Sequence, residues 1–172
     1  MQFTRNPKTR HWTAIKRVFR YLKGTRDGGL QYKGKDKELK IYCDADWASQ
    51  ADRKTTSSYV ITLAGGAIAW SSKKQTAIAL STAEAEYVAA THVAKQVLWQ
   101  RALFDELGLT PPNATAPIIL CDNQAAIAIA HHPEFHARTK HIDIALQFLR
   151  DLVKKRKLQI KYIHTSIRVF KR

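Results

Sequence analysis

The chain has 172 residues, of which 45% are hydrophobic, enough for one folded domain with a real core and a short appendage. It carries a formal net charge of +15, which argues for a polyanionic partner. No apolar run approaches the length of a membrane span and no secretory leader pattern opens the chain, so the expectation is an intracellular protein, cytoplasmic or nuclear, without a membrane partner.

The charge is unevenly spread. Residues 1–40 hold 12 Lys and Arg against 3 acids, and residues 138–172 hold 11 against 2, each a net +9; residues 41–137 hold 6 against 9, a net −3. An acidic middle between basic flanks suits a site that gathers cations at its centre and phosphates around it.

In chain order, residues 10–23 space Trp12, Ile15, Val18, Phe19 and Leu22 as one face of a helix, with Lys16, Arg17, Arg20 and Lys23 opposite and Gly24 as its stop. That face reads either as packing or as part of a phosphate-contacting helix. Residues 24–38 read as a turn or linker. A strand comes next over 39–43, then a polar loop over 49–58, and a hairpin of 59–63 and 67–71 around Ala64-Gly65-Gly66. Residues 76–80 read as a further antiparallel strand. Ser81-Thr82-Ala83-Glu84 fits a capping box, opening a helix that Gly108 ends. An apolar strand at 117–121, a short helix at 123–130, a polar loop at 131–140, a helix through Ile142, Ala145, Phe148, Leu149 and Leu152, and a strand at 158–164 complete the order. A meander and then a helical crossover imply later strands parallel to the first, hence an α/β layered domain with a mixed sheet.

Three acids stand at ends of these elements. Asp44 and Asp122 each close a strand, and Glu86 lies in the first turns of the long helix. If the two strands are parallel neighbours, the carboxylates lie side by side at one sheet edge and can share divalent cations, which accept hard oxygen ligands. Glu84 belongs to the cap, whereas Glu86 is turned to another face. Asp46 is either a supporting acid or a solvated one. Cys43 and Cys121 precede the two aspartates, and alternation sends each thiol to the face opposite its Asp. They read as small buried hydrophobes in a reducing compartment, not as a disulfide or a metal pair. His131, His132, His136 and His141 read as a polar loop, not a zinc site, since Pro133 interrupts any helix there. Trp47 and Trp70 read as core.

The stretches Tyr42-Cys43-Asp44-Ala45-Asp46-Trp47-Ala48, Asp52-Arg53-Lys54-Thr55-Thr56-Ser57-Ser58-Tyr59, Ala67-Ile68-Ala69-Trp70-Ser71-Ser72-Lys73-Lys74-Gln75, Ala83-Glu84-Ala85-Glu86-Tyr87, Cys121-Asp122-Asn123-Gln124-Ala125-Ala126 and Pro133-Glu134-Phe135-His136-Ala137-Arg138-Thr139-Lys140-His141-Ile142-Asp143-Ile144 resemble the RNase H domain of copia-type LTR retrotransposon polyproteins. Upstream, His11-Trp12 and Arg20-Tyr21-Leu22-Lys23-Gly24-Thr25 resemble the end of the reverse transcriptase and its connection to RNase H. The resemblance implies an RNase H-like fold, a mixed five-stranded sheet flanked by helices, over 39–172, with 1–38 as a remnant of the connection. It implies hydrolysis of the RNA strand of RNA–DNA hybrids with two Mg²⁺ ions, Mn²⁺ substituting, and an origin beside reverse transcriptase in a Gag-Pol-type polyprotein. Carried over by motif, Asp44, Glu86 and Asp122 are catalytic and metal-binding; Lys73, Lys74, Asn123, Arg138 and Lys140 are the expected nucleic-acid contacts. Family members continue past the last strand into a helix with a fourth acid. Here the sequence ends in Ile167-Arg168-Val169-Phe170-Lys171-Arg172, which reads as a truncation and leaves the enzyme complete or weakened; Asp143 has no motif support as a substitute. The alternatives are a catalytically inactive nucleic-acid-binding remnant and a basic interaction module using the fold as a scaffold.

Overall fold

The computed structural model describes residues 4–33, 38–47, 54–76, 78–110, 114–131 and 140–164, with side chains of the last stretch from Ile144 onward. The chain forms two compact units, Met1–Gln31 and Tyr32–Arg172. The first contains α1, Thr9–Gly24. None of that helix's residues is buried: Trp12, Ile15, Val18, Phe19 and Leu22 are all exposed, with the Lys16 ammonium 5.8 Å from the Trp12 ring centre. The apolar stripe is as regular as its spacing predicts, yet packs nothing away.

The second unit is built on β1 (Lys40–Asp46), β2 (Thr56–Leu63), β3 (Gly66–Lys74), β4 (Ile118–Cys121) and β5 (Gln159–Tyr162), in the sheet order β3-β2-β1-β4-β5. The first three strands form the antiparallel meander, and β4 and β5 join parallel to β1 through the crossover helix α2 (Thr82–Glu106), as the element order implies. Helices α3 (Gln124–His131) and α4 (Lys140–Lys154) connect β4 to β5. The β2–β3 hairpin turns on Ala64 (φ 51°) and Gly65 (φ 81°). Two successive left-handed residues make the tight turn that matches strand twist, so the loop is one residue shorter than the Ala-Gly-Gly string suggests.

Two strand expectations change. First, β2 begins at Thr56, inside the stretch read as loop. Its buried Ser57 is satisfied by Gln75, whose Nε2 donates to Ser57 Oγ at 2.8 Å and to the Ala85 carbonyl at 2.9 Å. A distant amide, invisible to local pattern, makes a polar strand tolerable. Second, the described residues of 76–80 are not a strand. Ile78 and Leu80 are exposed, the Ala79 carbonyl accepts from Trp47 Nε1 at 3.1 Å, and the Leu80 N–H goes to the Glu84 carboxylate. These residues lead into the helix cap instead of pairing.

The core lies between the sheet and the helices: Ile41, Ile61 and Ile119 from the strands, Tyr87, Val93 and Val97 from α2, and Leu149 and Leu158 beyond. Because α2 packs against the sheet and also against α3 and α4, it is buried on most sides, unlike a surface helix with one apolar stripe. Two polar groups on its inner side are paired: Tyr87 Oη donates to the Leu146 carbonyl at 2.9 Å, and Thr91 Oγ1 to the Tyr87 carbonyl at 3.0 Å. Gly108 (φ 65°) closes the helix, with its N–H on the Asp105 carbonyl and the Leu109 N–H on that of Phe104. That paired arrangement needs a left-handed residue after the cap, which glycine supplies without a steric penalty. Among the described residues no helix is long and apolar enough to cross a membrane.

A candidate metal centre at the carboxyl edge of the sheet

β1 and β4 run parallel with Tyr42 beside Leu120. Carrying that register forward sets Cys43-Asp44 and Cys121-Asp122 at matching heights on neighbouring strands. Asp122 comes directly after β4, and Asn123 then caps α3, its Oδ1 accepting the Ala126 N–H at 3.0 Å. The Asp122 backbone is therefore held between a strand end and a helix cap.

Glu86 arrives from α2. Ser81 caps that helix, its Oγ accepting the Glu84 N–H at 3.1 Å. The Glu84 carboxylate reaches back one residue further than the capping-box expectation, to the N–H of Leu80 rather than of Ser81. Two residues on, at roughly 100° per residue, Glu86 faces nearly the opposite way and turns inward. It is 6% exposed, and its Oε2 is enclosed and receives no hydrogen bond from the described residues. The Gln75 bond to the Ala85 carbonyl pins this turn of α2 to β2.

The structure brings a carboxylate oxygen of Glu86, one of Asp122 and the sulfur of Cys121 within 4.8 Å of one another. Two of the three expected acids thus meet, and a cysteine joins them. Alternation misplaces Cys121 relative to Asp122 because pairing in β4 stops at Cys121; the bend after it returns the carboxylate to the thiol's side. The signal for this in the sequence is the repeated Cys-Asp pair itself.

Asp44 stands outside that group. It does not end its strand: β1 continues to Asp46, with Asp44 paired to Ser58 and Asp46 to Thr56. In a strand, alternation puts Asp44 on the face opposite the buried Cys43. The Cys43 thiol is held well above the usual thiol range, first by its hydrogen bond with the Cys121 thiol, then by burial, with the Glu86 and Asp44 charges adding to the effect. Both cysteines are buried and outside any disulfide, as expected.

Lys73 and Lys74 end β3 on the same sheet edge, two strands or roughly 10 Å from β1. Lys73 is exposed and Lys74 half-buried. His131 is exposed at the end of α3, whereas His132, His136 and Arg138, and the side chains of Lys140, His141 and Asp143, lie outside the described residues. The two tryptophans read as core are not core: Trp47 is 44% and Trp70 65% exposed. Trp70 sits on β3, the sheet's outer strand, where alternation leaves one face open.

No protein-family model matches the chain. It is 42% identical over 166 residues to the retrovirus-related Pol polyprotein from transposon TNT 1-94 of Nicotiana tabacum, covering 96% of this chain and 12% of that protein. It is 38% identical to the Pol polyprotein from transposon RE2 of Arabidopsis thaliana, covering 95% of this chain and 11% of that one. The chain thus spans about a ninth of the relatives it matches. Among solved structures it resembles LC11-RNase H1, isolated from compost by a metagenomic approach, with a TM-score of 0.51, 14% identity, and 76% and 86% of the two chains covered. The same protein in complex with an RNA/DNA hybrid gives a TM-score of 0.51 at 12% identity, covering 75% and 87%. Over nearly its whole length the chain is thus homologous to a segment of the retrovirus-related Pol polyproteins of plant copia-type transposons, and its sheet and helices have the RNase H-like fold.

Proposed function

We propose that the chain is the ribonuclease H segment of its polyprotein, cleaving the RNA strand of RNA–DNA hybrids with Mg²⁺ or Mn²⁺, and that residues 1–38 are the connection from reverse transcriptase. The observation that carries the reading is the convergence of Glu86 and Asp122, from a helix and a strand end, at the carboxyl edge of a sheet with this fold. The donor set fits a hard divalent cation, for which two carboxylates and water suffice as a start. When bound, such ions supply an activated water and neutralise the charge that develops on the scissile phosphate.

The chain's own residues have distinct parts in this reading. Glu86 and Asp122 hold the cation charge, and Asp44 adds a third carboxylate from the neighbouring strand. The enclosure of Glu86 keeps bulk water from screening these charges, so each acts more strongly than at a surface. Lys73 and Lys74, at the same edge, bind hybrid phosphates, as do Arg138 and Lys140 from the segment before and at the start of α4. Asn123 commits its Oδ1 to the α3 cap, which leaves a nucleic-acid contact to its Nδ2. Recognition by phosphates and 2′-hydroxyls makes the activity insensitive to base sequence and sensitive to salt.

The test is cleavage of a labelled hybrid by the purified chain with Mg²⁺ or Mn²⁺, beside Asp122→Asn. Metal-dependent cleavage lost in the variant supports the enzyme. Salt-sensitive binding without cleavage leaves a nucleic-acid-binding remnant, and neither binding nor cleavage overturns both.

A further inference from the structure

The cation site at the carboxyl edge is not made of oxygen alone. The Cys121 sulfur lies within 4.8 Å of both the Glu86 and Asp122 oxygens. A hard cation such as Mg²⁺ takes the oxygens and leaves a thiol aside, whereas Zn²⁺ and Cd²⁺ bind thiolate strongly. Zn–S and Zn–O lengths near 2.3 and 2.1 Å put tetrahedral ligand atoms roughly 3.5 Å apart, so closing the three donors around such an ion takes shifts of only about 1 Å. Cys121 is buried and is the last residue of β4, so its sulfur is already presented to the two carboxylates by the sheet.

We propose that Glu86, Cys121 and Asp122 form a thiolate-bearing site for a soft divalent cation, Zn²⁺ in the first instance, with water as the fourth ligand. Binding forms the metal–sulfur bond as the S–H proton leaves to solvent, and no electron is transferred. Cys43 is a neighbour and not a ligand: it falls outside the group, its thiol meeting that of Cys121 and the Leu120 carbonyl at 3.7 Å. One consequence rests on the nuclease reading: an ion held there occupies Glu86 and Asp122 and competes with Mg²⁺, so Zn²⁺ inhibits cleavage.

The binding itself is tested without turnover. Cd²⁺ added to the full chain in excess Mg²⁺ is read by its ultraviolet thiolate charge-transfer band and by X-ray absorption at the metal edge. The expected result is one sulfur among oxygen ligands, a band retained in Cys43→Ser, and an affinity lowered about tenfold or more with the band gone in Cys121→Ser. A shell with no sulfur or two, or a band that survives Cys121→Ser, overturns the proposal. Should the Cys121 variant fail to fold, the sulfur count on the unaltered chain decides. A chain that binds Cd²⁺ through one sulfur yet cleaves no hybrid overturns the nuclease reading and leaves this one standing.

Discussion

The molecule contains the same dipeptide twice, and the two copies behave differently. Cys43-Asp44 and Cys121-Asp122 occupy matching heights on adjacent parallel strands, both thiols buried. Yet only Asp122 joins Glu86 in a tight donor group. The difference lies in the backbone after each pair. Past Asp44 the strand continues to Asp46 under antiparallel pairing with β2, which keeps strict alternation. Past Cys121 the strand stops, and the bend into α3 frees the carboxylate from alternation. A side chain's chemistry is thus set less by its neighbours in sequence than by whether its backbone is still in the ladder.

The largest expected effect separates the two aspartates. Asp122→Asn should lower hybrid cleavage by about 10² or more, the scale of losing one preorganised electrostatic contact at a reacting centre. Asp44→Asn should also impair turnover, but Mn²⁺ binding measured by calorimetry should fall much further in Asp122→Asn than in Asp44→Asn. Equal losses of binding would mean that the two carboxylates are equivalent ligands, and the contrast between the two Cys-Asp pairs would collapse.

Earlier along the same strands the two copies should behave alike. Ile41 and Ile119 face each other in register and are both fully buried. Replacing either by Ala should cost about 2–5 kcal/mol in denaturant unfolding, through lost burial and an unfilled cavity. A large cost at Ile119 with less than about 1 kcal/mol at Ile41 would show that the two strands are not equivalent even where paired.

Legibility in the sequence divides at the same boundary between local and distant pairing. The meander, the crossover, the parallel return and the division of labour between Glu84 and Glu86 are all legible, because alternation, capping chemistry and helical rotation are local rules. The polar start of β2 is not, since Ser57 depends on Gln75, eighteen positions away. Residues 76–80 look like a strand by composition, but the Ala79 carbonyl is taken up by Trp47 and the Leu80 N–H by Glu84. Asp44 looks like a strand end because the apolar run stops there, while the pairing does not. Alternation sets Cys121 on the wrong side of its aspartate because the rule ends one residue earlier, at the last pair.

The Asn123 cap is what holds Asp122 in its bend, and the position after Asp44 has no counterpart, Ala45 simply pairing with Ser57. Asn123→Ala should destabilise the chain by about 1 kcal/mol, and Asn123→Asp should restore most of it by keeping an acceptor for the Ala126 N–H. If Asn123 also touches nucleic acid through Nδ2, the Asp variant recovers stability but not hybrid affinity. Recovery of both would confine Asn123 to capping.

The smallest effect comes from α2, beside Tyr59, the cross-strand partner of Cys43. His92, on α2, meets the Tyr59 ring edge-on with centroids 5.3 Å apart. Burial lowers its pKa, and the nearby Lys73 and Lys95 ammonium groups lower it further. The folded chain therefore binds this proton less readily than the unfolded one, whose histidine titrates near 6.5. The stabilising contribution is complete above about pH 6.5 and is lost as pH falls through the lower folded value. Thermal midpoints should drop modestly between about pH 7 and pH 5, and His92→Phe, which keeps a ring against Tyr59, should flatten that slope. A slope unchanged in His92→Phe but removed by Asp122→Asn would transfer the acid-sensitive group to the carboxylate site, and the bend after Cys121 would then govern stability as well as metal binding.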